Sequence, residues 1–249
     1  MNEQTIQILL EKLRGHTDDL PALLNSPVEV KPLTAVEAIG NPGGWDYPLF
    51  RGKEVLLQAT FINSVGQAFT GVPKTFHGTL EDVFNLNLEQ IENRAILIAT
   101  INALLRNCGL IEKTVHCRDN EPAECGLQIA AHLHQEYGPV RVGLAGYQPA
   151  FVKALTEIFD AKDVRVTDLS AENVGKIFSG TEIWDGMTRT EELIAESDLI
   201  LVTGSVFVNS TMGPFLAAVK EGKQLYFYGT TVTGLAYLHN LPHICLLGH

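Results

Sequence analysis

From residue 121 onward the chain alternates helical patterns with short strand patterns that are unbroken apolar runs. A strand that is apolar throughout must be covered on both faces, and helices between strands supply that cover. Pro122 near the start of a periodic run marks the first turn of a helix ending at Tyr137 and Gly138. Strand 140–145, helix 149–159, strand 164–167, helix 191–196 and strand 199–202 follow. Helix 212–221, strand 224–228 and a last short strand 244–247 complete the series. Right-handed crossovers then favour a doubly wound parallel sheet, the Rossmann-like arrangement.

The chain before residue 110 reads differently. Strand-like runs at 28–33, 36–39 and 54–61 lie close together, separated by turn chemistry that includes Gly40-Asn41-Pro42-Gly43-Gly44. Helical patterns at 4–13 and 88–106 flank them, which reads as α+β. The expected fold is therefore α/β: an N-terminal α+β domain over 1–110 and a Rossmann-like domain over 111–249.

In its 249 residues, 45% hydrophobic and 19% charged, the chain holds enough apolar material for a sizeable core. Eighteen Lys and Arg stand against 29 Asp and Glu, a formal charge of −11. A surface that acidic repels polyphosphate, so neither nucleic acid nor an anionic membrane is an expected partner. The N-terminus lacks a basic segment leading into an apolar core, and the most apolar run, 95–105, is interrupted by Thr100 and Asn102. The four cysteines are scattered as reduced thiols would be, so the expected compartment is cytoplasmic. Homo-oligomer formation is compatible with the sequence but not dictated by it.

Ligands of open parallel sheets bind beyond the carboxyl ends of the strands. After the first strand come Gly143 and Gly146, then Gln148-Pro149 opening a helix. Small residues there let a ligand approach the backbone, although the same glycines serve a tight strand-to-helix turn. Asp168 closes the second strand about twenty residues on, where a Rossmann acid takes ribose hydroxyls; it could equally cap the next segment. The third strand runs into Thr203, Ser205, Asn209, Ser210 and Thr211, more hydroxyl and amide groups than one helix cap requires. The fourth ends in Gly229-Thr230-Thr231. This polar cradle lacks a strong base, so acid–base work would need a group from the first half. Candidates are His77 and Glu81, in what reads as a polar loop over 75–81. Asn102, a buried amide in an apolar helix, either bridges core elements or lines a site. A possible metal set is His116, Cys117 and Cys125, with His132 and His134 on the following helix; the opposing reading is a solvated helix face with two incidental thiols.

At these loops the sequence resembles the family described as "putative heavy-metal chelation", a domain of unknown function. The matching residues are Gly66-Gln67-Ala68, Gly78-Thr79-Leu80, Ile101-Asn102-Ala103 and the stretch from Gly143 to Pro149. Thr203-Gly204-Ser205 with Asn209 and Thr211, and Gly229-Thr230-Thr231, complete them. The resemblance implies an enolase N-terminal-like domain joined to a Rossmann-like domain, with a cleft between them. It further implies condensation or hydrolysis of a pterin-, flavin- or siderophore-like molecule, or the handling of metal chelates.

Three functions remain in view. The first is an enzyme holding a small polar metabolite, with His77, Glu81 and Asn102 in catalytic roles. In it Gly143, Gly146, Asp168, Thr203, Ser205, Asn209, Thr211 and Thr230 bind the ligand. The second is a non-catalytic protein for a metal or metal chelate using Cys117, Cys125 and His116, with a divalent ion as the cofactor. The third is an S-adenosylmethionine-dependent methyltransferase.

Overall fold

Two sheets share one long helix. The computed structural model describes residues 3–15, 20–43, 47, 49–51 and 54–249. The first sheet is antiparallel, in the order β3-β2-β1-β4, built from β1 (Pro27–Pro32), β2 (Val55–Phe61), β3 (Ser64–Thr70) and β4 (Phe76–Thr79). Beside it lie α1 (Glu3–Arg14), α2 (Leu20–Leu24), α3 (Ala35–Ile39), α4 (Leu80–Phe84) and the long α5 (Ile91–Asn107).

Residues 121–249 give α6 (Glu121–Tyr137), β5 (Val142–Ala145), α7 (Pro149–Ile158), β6 (Val164–Asp168), β7 (Ile177–Phe178), β8 (Thr181–Asp185) and α8 (Thr190–Glu196). β9 (Leu199–Thr203), α9 (Ser205–Val208), α10 (Gly213–Lys220), β10 (Gln224–Tyr228), α11 (Thr233–His239) and β11 (His243–Ile244) follow. Their sheet runs β11-β10-β9-β5-β6-β8-β7, parallel except where β7 pairs antiparallel with β8. Numbering the parallel strands in chain order gives 3-2-1-4-5-6, the order of dinucleotide-binding folds, with its switch point between β5 and β9. The expected α/β architecture is present, an antiparallel sheet followed by a mostly parallel one.

Some elements differ from expectation. Residues 36–39, read as a strand, are helical. Thr34 Oγ1 accepts from Glu37 N and Glu37 Oε2 accepts from Thr34 N, a capping box that starts a helix where the apolar residues alone suggested extension. Segments 61–68 and 75–81, read as polar loops, contain β3, β4 and the start of α4. A two-residue turn at Ile62 and Asn63, with Ile62 at φ 54°, folds β3 onto β2. Thr79 and Asp82 form a second capping box that opens α4. β7, β8 and α11 were not anticipated, and the last strand is His243–Ile244. Of the turn at 40–44, Gly44 lies outside the described residues.

α5 carries the fold. From Asn93 to Leu105 every residue is buried, because it meets the first sheet on one side and α9 and α11 on the other. Gly66 of β3 allows that approach: a Cβ there would stand 2.2 Å from the Ala103 nitrogen and 2.4 Å from the Ala99 oxygen. One apolar cluster therefore runs from Val30, Leu57 and Ala59 through Ile96 and Ile101 to Val206, Phe227 and Leu235. Asn102 sits inside it at 0% exposure. Its Nδ2 donates to the carbonyls of Gln67, Thr230 and Thr231 at 2.9, 3.0 and 3.2 Å, and its Oδ1 accepts from Gly234 N at 2.8 Å. A buried amide whose donors and acceptor are all engaged ties three segments together. Among the described residues no helix is long and apolar enough to cross a membrane.

Candidate functional site

The strands β5, β6, β9 and β10 end at a cavity of about 830 Å³. Its other side is formed by residues of the first half and by the segment joining the halves.

On the strand-end side, Gly146 follows β5 at φ 95°, and a Cβ there would stand 2.6 Å from Thr203 Cγ2. Only glycine lets the β5 turn lie this close to the β9 end. The turn is fixed by Gly146 N donating to the Thr167 carbonyl at 2.8 Å and by the Tyr228 hydroxyl donating to the Gly146 carbonyl at 3.2 Å. Asp168 lines the cavity with its oxygens already engaged. Oδ2 accepts from Tyr147 N at 2.8 Å; Oδ1 accepts from Ser170 N at 2.8 Å and Asn173 Nδ2 at 3.1 Å. At the start of α7 the Gln148 side chain accepts from Phe151 N at 2.7 Å, taking a donor that a phosphate would use. Both features turn the region from the phosphate-and-ribose arrangement of dinucleotide sites towards an internally braced wall.

Thr203, Ser205, Asn209, Thr211 and Thr230 all line the cavity. α9 is anchored from behind by Arg94, whose Nε donates to the Val208 carbonyl at 2.6 Å. Among the described residues the Asn209 and Thr211 side chains make no hydrogen bond, which leaves them for a ligand. Gly143 is not in the lining; it lies under α8, where a Cβ would meet Ser197 Oγ at 2.5 Å.

The opposite side is assembled from distant segments. Thr114 Oγ1 donates to the Val65 carbonyl, Gln67 N to the Thr114 carbonyl, and His116 N to Gln67 Oε1, which lays residues 114–116 along the free edge of β3. Val115 and His249 exchange two backbone bonds of 2.8 and 2.9 Å, bringing the 245–249 stretch alongside. Cys117, Cys125 and Cys245 thereby reach one wall. The four cysteines are free thiols. Hydrogen bonding to Cys125, then burial, push the Cys117 thiol up. Cys125 is held below the ordinary thiol value first by that bond, then by the backbone N–H groups of Leu247 and Leu246 and by Lys113, against the opposing effect of burial. Burial, and then the Cys125 charge, push Cys245 up to about 11. His116 Nδ1 donates to the Cys117 carbonyl at 2.6 Å, so Nε2 carries the lone pair, and burial lowers the ring's pKa and keeps it neutral. A carbonyl-held Nδ1 with an unprotonated Nε2 is the state in which histidine binds metals. Among the described residues, however, no three His, Cys, Asp or Glu side chains converge as a metal site.

His77 and Glu81 stand elsewhere. His77 is exposed on β4 opposite Glu29, and Glu81 is exposed in the first turn of α4; neither lines the cavity. Asn102 lies behind the wall, engaged as described above. Among the described residues, the charged groups contributed by the first half are Arg51 and Glu54, which sequence reasoning passed over. Glu54 immediately precedes β2 and read only as the first residue of a strand; its facing Asp168 depends on how the two sheets meet.

A Rossmann-ordered sheet, with a polar strand-end cradle facing a thiol wall, defines an α/β protein with a candidate ligand cavity at its strand ends. Residues 130–244 match the model of the DUF364 family, whose description is "Putative heavy-metal chelation". The matched stretch holds the strand-end loops, while His116, Cys117, Cys125 and Cys245 fall outside it. Two solved structures from that family are similar in fold. One is a protein of unknown function from Pyrococcus horikoshii, 15% identical, TM-score 0.54, covering 92% of this chain and 80% of its own. The other, also of unknown function, is from Desulfitobacterium hafniense DCB-2, 17% identical, TM-score 0.50, covering 75% and 73%. No curated protein matches the chain.

Proposed function

We propose that the cavity binds a metal chelate, a soft or borderline divalent ion carried by a small organic ligand. The ion would face Cys125, Cys117 and His116, and the organic part would lie against Asn209, Thr211 and the Thr203–Ser205 hydroxyls. The carrying observation is that soft donors and a polar strand-end cradle line one cavity while, among the described residues, no three His, Cys, Asp or Glu side chains converge as a metal site. A bare ion bound there would lack coordination that a chelating molecule can supply. A thiolate already favoured at Cys125 and a neutral imidazole lower the proton cost of binding the ion. The description of the matched family points the same way.

The test is equilibrium dialysis and calorimetry with zinc alone and with the zinc–picolinate complex. The complex should bind more tightly than the bare ion. Cys117→Ser/Cys125→Ser should lose metal retention, and Asn209→Ala should weaken the complex while leaving the bare ion unchanged. Equal metal content in wild type and the double serine variant would remove the thiol wall from the reading.

A further inference from the structure

Glu54 enters the cavity from the residue before β2, facing Asp168 and Arg51. Its carboxyl is half-buried against protein and open to the cavity, and among the described residues it accepts no hydrogen bond. Asp168 differs, with three N–H donors on its oxygens. The Arg51 guanidinium is directed to Asn173 Oδ1 at 3.3 Å. A carboxylate placed in this way is costly unless something pairs with it. Burial, and then the Asp168 charge, raise its pKa to about 7 against the opposing Arg51.

The surroundings specify what could pair with it. Among the described residues the charged lining groups are Glu54, Asp168, Glu172 and Glu191 against Arg51, an excess of negative charge that disfavours anionic ligands and favours cations. Phe151 and Tyr228, ring centroids 4.8 Å apart and nearly parallel, and Tyr147 give flat apolar surfaces on the strand-end side of the same cavity. Tyr47 and Thr230, also in the lining, carry hydroxyls with no partner among the described residues. An unpaired carboxylate beside aromatic faces suits a planar group presenting two N–H bonds, because such a group satisfies both oxygens while its plane stacks.

We propose that Glu54 anchors a planar nitrogen compound through an amidine-like, cationic N–H edge. This names the chemical class of the organic ligand and rests on the reading of the cavity as a ligand site.

Benzamidine, a flat aryl amidinium, is the probe, with benzamide as its neutral analogue, measured by calorimetry on the full chain. Benzamidine should bind at least about tenfold more tightly at about pH 8 than at about pH 5.5, since Glu54 is ionised only at the higher value. The groups facing Glu54 are Asp168 of β6, Arg51 of the 49–51 segment and Tyr228 of β10. Burial keeps the Tyr228 phenol protonated throughout. Glu54→Gln should cost about ten- to a hundredfold at the higher pH and abolish the pH dependence, whereas Asp168→Asn should retain it. Benzamide should bind weakly at both values. Equal affinity in wild type and Glu54→Gln, or no preference for benzamidine over benzamide in wild type, overturns the proposal; the second comparison needs no variant to fold. Zinc–picolinate titrations on the same preparations separate the two readings. Binding of that complex without benzamidine binding removes the amidine anchor alone, and the converse removes the metal alone.

Discussion

The strand-end side of the cavity and the side facing it contribute comparable chemistry by different routes. Each strand-end loop follows its own strand, so Gly146, Asp168, Thr203 and Tyr228 arrive where parallel topology sends them. The facing side draws on Tyr47, Arg51, Glu54, Phe69, His116, Cys125 and Cys245, gathered by edge contacts along β3 and by pairing of Val115 with His249. On the braced side Asp168 and Gln148 are satisfied internally, while the Asn209 and Thr211 side chains stay open to a ligand. The gathered side retains the unpaired carboxyl and the thiols. The titratable ligand chemistry thus lies where the chain is brought together from afar, and the neutral hydroxyl and amide groups lie on the frame set by the sheet.

The strongest challenge to this contrast is Asn102. If it is frame rather than site, Asn102→Ala strands the Gly234 N–H and the carbonyls of Gln67 and Thr230 in the core and costs about 3–4 kcal/mol. Urea denaturation should show that loss. A stable variant with altered ligand affinity would instead move Asn102 into the site.

Glu54 gives the next effect. Its folded pKa, about 7, lies above the unfolded carboxyl value, so the folded state binds more protons between the two. Stability is therefore highest below about pH 4.5 as far as this group is concerned, and falls as pH rises towards 7. Glu54→Gln should stabilise the protein at about pH 8 by up to about 3 kcal/mol, with the gain vanishing in acid. Melting curves across pH, each set against wild type, read this directly. A stability difference independent of pH would mean that Glu54 is solvated or paired.

A subtler contrast sets the gathered wall against a thiol outside the cavity in alkylation. Cys125 should react with iodoacetamide at neutral pH at least about tenfold faster than Cys108, whose thiol is pushed up by burial. Peptide mass mapping at short times checks it; equal rates would remove the thiolate from the gathered wall. Smallest of all, His77→Ala and Glu81→Ala should shift stability by no more than about 0.5 kcal/mol and leave benzamidine and zinc–picolinate binding unchanged.

The sequence made the braced side largely readable. Apolar runs at 199–202 and 224–228, each ending in Thr- and Gly-rich turns, announce parallel strands with loops at one end, and Thr203, Ser205, Asn209, Thr211 and Thr230 line the cavity. Gly143 was less legible, since a glycine serving a helix that crosses above it looks the same as one serving a ligand. In the first half the polar character of Asn63, Ser64 and His77 suggested loops, but an antiparallel sheet tolerates polar residues on its outer face. Glu54 and Cys245 carry no local signal. Their meaning lies in which segments meet them, and contacts between residues so far apart leave no periodicity to read.

The single core around α5 has a mechanical consequence. Because α5 is packed by the first sheet on one side and by α9 and α11 on the other, and one of its amides is stitched to β3, the Thr230–Thr231 turn and α11, a hinge between the two sides of the cavity would have to break that core. Admission of a ligand then falls to the rim, where Leu169 and Met187 stand 42% and 73% exposed at the cavity lining. A ligand admitted there would be met by local side-chain rearrangement rather than by a hinge between the two sheets.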